Sequence, residues 1–208
     1  MTTDKIRTRT PEELEYRRKA FFEMCDVLDK ANIPCFLWGG VLLGAMREKD
    51  FIEWDWDIEI GVFADGVKGR AQELAALFSA GGFEVFRVDD NYENFKIDMA
   101  KYMPAEVSSF TVCSWYKEDD MWVRSLWKIP APFLDTLGEI EFLGRTFKCP
   151  SNPEKFLEYQ YGDWRTPKRT ADQREYLSAA FFRTDKTKGN VFKKNIQRAV
   201  SLLRGLLR

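Results

Sequence analysis

Asp55, Asp57 and Glu59 occupy alternate positions in the run Trp54-Asp-Trp-Asp-Ile-Glu-Ile60. On an extended strand that spacing carries all three carboxylates to one face and sends Trp56, Ile58 and Ile60 to the other, the expected core side. Acids two residues apart lie roughly 6.5–7 Å apart along a strand. Like charges so placed repel one another unless a cation or hydrogen-bond donors compensate them. Oxygen-preferring Mg²⁺ or Mn²⁺ is the simplest compensation, with Asp57 and Glu59 as the two ligands. The chain contains no histidine, which excludes Ser-His and Cys-His nucleophilic machinery and leaves a carboxylate or another group as any general base.

Upstream of the acids stands Phe36-Leu-Trp-Gly-Gly-Val-Leu-Leu-Gly-Ala-Met-Arg47, a short apolar strand running through Gly39-Gly40 into a helix. Bare N–H groups at a helix N-terminus cradle anions, and glycine lets a phosphate approach closely. A phosphate seat and an acidic strand together give the logic of metal-assisted phosphoryl transfer. Arg47 can clamp a diphosphate with its planar fork or serve as a solvated surface cation.

These residues resemble the LicD/fukutin-related family, whose usual wording is close to GGTLLGAxR followed by IPWDDDxDI. A second matching block runs from Ile140 through Tyr161-Gly-Asp-Trp164 to Pro167, so the resemblance covers roughly residues 20 to 170. It implies a nucleotidyltransferase-like α/β fold, a mixed sheet flanked by helices. It also implies transfer of a phosphocholine or phospho-alditol group from a CDP-activated donor to a glycan or lipid-linked glycan acceptor. Carried over by position, Asp57 and Glu59 become the Mg²⁺ (or Mn²⁺) ligands and Asp55 the leading acid. Gly39, Gly40 and Arg47 fall on the donor-phosphate side, and Tyr161, Asp163 and Trp164 border the substrate or pack plainly. The chain departs from the pattern at Glu53, at Trp56, where an Asp is usual, and at Glu59, where Glu replaces Asp. A further carboxylate is expected from a later strand. Asp98 is one candidate, although Lys96 on the same face can pair with it; in the other alignment Cys113 occupies the acid position. An enzyme that installs NMP from an NTP, and a nucleotide-binding protein without catalysis, remain open beside the transferase.

The positioning elements follow from the remaining pattern. Thr10-Pro-Glu-Glu13 is a capping box opening a helix to about Lys30. Residues 66–80 have helical spacing and stop at Gly81-Gly82. Strands near 83–88, 94–102, 109–117 and 121–127 extend the sheet, a hairpin turns at Leu143-Gly144, and Asn152-Pro153 caps a last short helix. Residues 1–170 are expected to form the catalytic domain. Residues 171–208 are expected to be a helical tail whose basic amphipathic end, 191–208, either docks on the body or lies on an anionic membrane. A formal net charge of −1 over 208 residues gives no basic surface for nucleic acid. The four cysteines show no CxxC spacing, as in small buried hydrophobes of a reducing compartment. With no apolar leader at Met1–Pro11, the expected location is cytoplasmic, at most peripheral at the inner membrane face.

Overall fold

The computed structural model describes residues 6–102 and 107–183. Helix α1, Pro11–Lys30, starts at the capping box: Thr10 Oγ1 accepts the Glu13 N–H at 3.2 Å, and Glu13 Oε2 accepts the Thr10 N–H at 2.8 Å. Strand β1 (Cys35–Leu37), helix α2 (Gly39–Arg47) and strand β2 (Asp57–Phe63) follow. The helical stretch expected over 66–80 is split into α3, Ala64–Val67, and α4, Ala71–Ala80. Gly69 takes φ +70, a left-handed step that suits glycine and interrupts the helical hydrogen bonds.

Four strands then extend the sheet: β3 (Glu84–Asp89), β4 (Lys96–Tyr102), β5 (Val107–Glu118) and β6 (Met121–Arg124). They are followed by β7 (Trp127–Pro130), α5 (Pro132–Asp135), the hairpin β8 (Leu137–Phe142) and β9 (Arg145–Pro150), α6 (Pro153–Tyr161) and α7 (Gln173–Tyr176). The sheet is mixed, in the order β3-β4-β5-β2-β1-β9-β8, and β6 and β7 continue from the far end of β5. Strand β2 sits at its centre, antiparallel to β1 and parallel to β5. Ile58 and Ile60 of β2 are fully buried in the hydrophobic core, with Ile97, Met99, Phe110 and Val112 of the neighbouring strands.

Partnered residues on adjacent strands share a face, so the register lays out the opposite surface in rows. Ala100, Ser109 and Asp57 make one row, Asp98, Thr111 and Glu59 the next, and Lys96, Cys113 and Gly61 the third. Gly61 is required there, because a Cβ would stand 2.6 Å from the Phe36 ring.

Two expectations need correction. The acidic strand begins only at Asp57, and Asp55 and Trp56 belong to the turn before it. Trp56, expected in the core, is 60% exposed. The alternation ends because other bonds hold this backbone: Asp55 N–H donates to Ile52 O at 3.0 Å, and the Asp55 carbonyl accepts from Arg9 and, at 2.7 Å, from Arg17.

Past the expected boundary at residue 170 the chain packs on the same body. Phe181 is buried against Trp127, their rings stacked at 6.2 Å and 27°. Ser178 N–H donates to Gln160 O at 2.7 Å, and Arg183 N–H to Leu126 O at 2.7 Å. The expected basic amphipathic helix at 191–208 lies outside the described residues. Among those described, no helix is long and apolar enough to cross a membrane. All four cysteines are free, and Cys25, Cys113 and Cys149 are buried.

Candidate active site

Strand β2 presents Asp57 and Glu59 on the face opposite Ile58 and Ile60, and both are part-buried. The turn before it folds Asp55 against the start of α2. Its Oδ2 stands where Gly40 lacks a side chain, so any other residue at 40 would collide with it. Trp38, the N-cap of α2, offers no side-chain cap to the first turn. Gly39 has φ +57, and the Tyr161 hydroxyl lies 4.0 Å from where its Cβ would be. The glycine turn, the acids and the Tyr161 hydroxyl therefore lie together, joined by a strand, a helix end and the last turn of α6.

The electrostatics are those of crowded, poorly solvated anions. Burial raises the Asp55 carboxyl to about 6, with Glu59 adding to the rise and Arg17 and Arg9 opposing it. Burial, then Glu59, then Asp55 push Asp57 well above the usual carboxylate range. Burial also raises the Tyr161 and Tyr176 phenols, and all three carboxylates add to it. These hydroxyls stay protonated and can donate. A carboxyl whose folded-state affinity for a proton is raised stabilises the fold below its unfolded pKa, and that contribution is lost as pH rises through the folded value. For Asp55 the window runs from the ordinary 3.8 to about 6. Metal-free protein should lose stability relative to Asp55→Asn as pH rises through this window, by on the order of a few kcal/mol. Parallel thermal melts at pH 4 and pH 7 read the difference, and equal gaps at both would refute it.

Asp98 is set apart from the pair. It lies on β4, two strands from β2, a span of roughly 10 Å at normal strand spacing. Thr111 Oγ1 donates to its Oδ1 at 2.7 Å, and Lys96 Nζ lies 2.8 Å from the same oxygen. Cys113 shares the face of the acids but is fully buried, its thiol raised to about 12 by burial. The β5 residue directly beside Glu59 is Thr111, so no carboxylate comes from that strand.

Arg47 sits at the far end of α2 from the glycines, donating to the Trp164 carbonyl at 3.1 Å and to Glu48 at 2.7 Å. Trp164 is core, and Asp163 is exposed and hydrogen-bonded to Thr166. Of the candidates in that C-terminal motif, Tyr161 alone is shown reaching the glycine turn.

Three side chains near the acids escaped the sequence reading. Tyr176 stacks on Tyr161 at 6.2 Å and 28°, and nothing local in its sequence marks it. Arg17 is fully buried under the turn; its sign was a charge on the apolar stripe between Leu14 and Phe21. Arg124, 3% exposed, brings Nη2 to 3.8 Å from Glu59.

Among the described residues, no three Cys, Asp or Glu side chains gather as a metal-binding group. The residues present still fit a hard cation. Asp57 and Glu59 are part-buried oxygen donors, Glu59 adds to the cost of ionising Asp57, and Mg²⁺ is commonly held by one or two carboxylates with substrate phosphates completing its shell.

The family described as LicD/FKTN/FKRP, nucleotidyltransferase domain, matches residues 32–152. Human ribitol 5-phosphate transferase FKRP is 27% identical over 143 residues, covering 65% of this chain and 29% of that protein. The mouse protein of the same name is 29% identical over 149 residues with the same coverage. The chain thus spans under a third of the length of the curated relatives it matches. The solution structure of the antibiotic-resistance factor ANT(2'')-Ia overlaps 66% of each chain at 17% identity and a TM-score of 0.45, a likeness too loose to argue from.

Proposed function

We propose that this chain, which belongs to the LicD/FKTN/FKRP family of nucleotidyltransferase domains, transfers a phospho-alditol group from a CDP-activated donor to a glycan or lipid-linked glycan acceptor. The observation that carries the reading is Asp55 folded against Gly40, which joins the acids to the glycine turn. Asp57 and Glu59 would hold Mg²⁺ or Mn²⁺, which when bound neutralises phosphate charge and lowers the pKa of a coordinated hydroxyl. Gly39 leaves room for a phosphate at the first turn of α2, where N–H groups point outward, while the space beside Gly40 is taken by the Asp55 carboxylate. The protonated Tyr161 hydroxyl donates into the same space. Arg9 and Arg17 fix the backbone of Asp55 and so its carboxyl direction. Alditol is preferred to phosphocholine because the curated relatives are named as ribitol 5-phosphate transferases. The test is CMP release from CDP-ribitol, measured with Mn²⁺ and a panel of glycan acceptors. Pyrophosphate release from an NTP instead would mark an NMP-transferring enzyme.

A second reading rests on the absence of a carboxylate beside Glu59 on β5, where Thr111 stands. It is a binding protein that holds the nucleotide without turnover. Tight CDP binding with no CMP release from any activated alditol, with Mg²⁺ or Mn²⁺, would favour it.

A further inference from the structure

Arg124 closes β6 behind Glu59. Its guanidinium carbon lies 5.5 Å from the Trp38 ring centre and 4.9 Å from that of Trp127. Trp38 is the residue that leads into Gly39, so the cation packs on the side chain that precedes the glycine turn as well as lying near Glu59. The contact between Nη2 and Glu59 Oε1, 3.8 Å, is too long for a hydrogen bond. Nε and Nη1 are buried and have no acceptor among the described residues.

A fixed countercharge for Glu59 would explain the long ion pair but not the unmade bonds. Buried N–H groups of a charged side chain left without acceptors cost free energy, and native folds seldom retain them without a purpose. Cation–π contact with two indoles restrains the guanidinium. A guanidinium with unmade N–H bonds is the cationic group suited to phosphate oxygens. Glu59, its side chain 23% exposed, is the group through which the buried guanidinium borders the acids.

We infer that Arg124 is an anion-binding residue of the active site, taking phosphate oxygens of a diphosphate on its free N–H groups. The identity of that diphosphate as the CDP of the donor rests on the function proposed above; the anion site itself does not. The full chain, wild type and with Arg124→Met or Arg124→Lys, is titrated calorimetrically with inorganic pyrophosphate, CDP and cytidine, each with and without Mn²⁺. Mn²⁺ affinity alone is read by electron paramagnetic resonance.

Losing a charge-assisted bond should weaken pyrophosphate and CDP binding to Arg124→Met by about 10-fold or more. Arg124→Lys should fall between, since it keeps the charge and loses the fork. Mn²⁺ alone should bind Arg124→Met as tightly as wild type or tighter, because a cation near Glu59 opposes another. A purely structural arginine would instead weaken Mn²⁺ and both anions together. Unchanged pyrophosphate affinity in Arg124→Met overturns the inference. If that variant does not fold, unchanged affinity in Arg124→Lys overturns it. Pyrophosphate lost in the variants while CDP binds wild type no better than pyrophosphate and cytidine does not bind would uphold the anion site and undercut the cytidine donor. Wild-type CMP release with an unaltered donor KM in Arg124→Lys would do the reverse.

Discussion

Asp57→Asn is expected to lose transferase activity by about 10²–10³-fold or more, the usual cost of removing one preorganised electrostatic group, and to melt higher than wild type without metal. The two effects have one cause. Asp57 lies on the central strand with Glu59 two residues on and Asp55 two residues back, and burial and both neighbours resist its ionisation. At neutral pH burying this carboxyl, whether ionised or carrying a proton taken up from solvent, therefore costs folding free energy, and an amide of the same shape removes that cost. A gain of about 3–6 °C corresponds to 1–2 kcal/mol for a chain of this size. Saturating Mn²⁺ should raise the wild-type melting temperature and leave that of Asp57→Asn nearly unmoved. Asp98→Asn serves as the contrast: its carboxylate answers Lys96 and Thr111, so the fold should weaken and the Mn²⁺-induced shift persist. Asp57→Asn melting lower than wild type without metal, or retaining the full Mn²⁺ shift, would refute the account.

What could be read in the sequence was what local chemistry writes locally. The capping box at Thr10–Glu13, the entry of β1 into α2 at Gly39 and the alternation of Asp57, Ile58, Glu59 and Ile60 are fixed by residues close in the chain, and the structure shows each. The alternation failed one residue before Asp57. There the backbone is held by Arg9 and Arg17 from another element, and a period of two says nothing about bonds arriving from elsewhere. Trp56 emerged into solvent for that reason. Asp98 and Arg124 are the paired lesson. Both depend on strand order: β5 lies between Asp98 and the acids, while the hairpin of β6 and β7 returns Arg124 to Glu59 from beyond β5. No spacing along the chain encodes which strands become neighbours.

Phe181→Ala should show how far the site depends on the segment that follows α6. Phe181 is 1% exposed, and its ring lies 6.4 Å from Trp115, 6.2 Å from Trp127 and 6.2 Å from Tyr159. Truncating a buried phenylalanine to alanine costs roughly 3–5 kcal/mol, or on the order of 10 °C in a chain of this length. The larger consequence lies upstream. Phe181 anchors the segment that carries Tyr176, and Tyr176 stacks on Tyr161 beside the glycine turn. Losing the anchor should release that segment, raise the donor KM and make 171–183 accessible to protease while α1 stays protected. A buried phenylalanine elsewhere provides the control: Phe78 of α4, packed on Phe83 at 5.9 Å, should cost similar stability as Phe78→Ala without altering the donor KM. The same KM in both variants at a temperature where both are folded would separate the segment from the site.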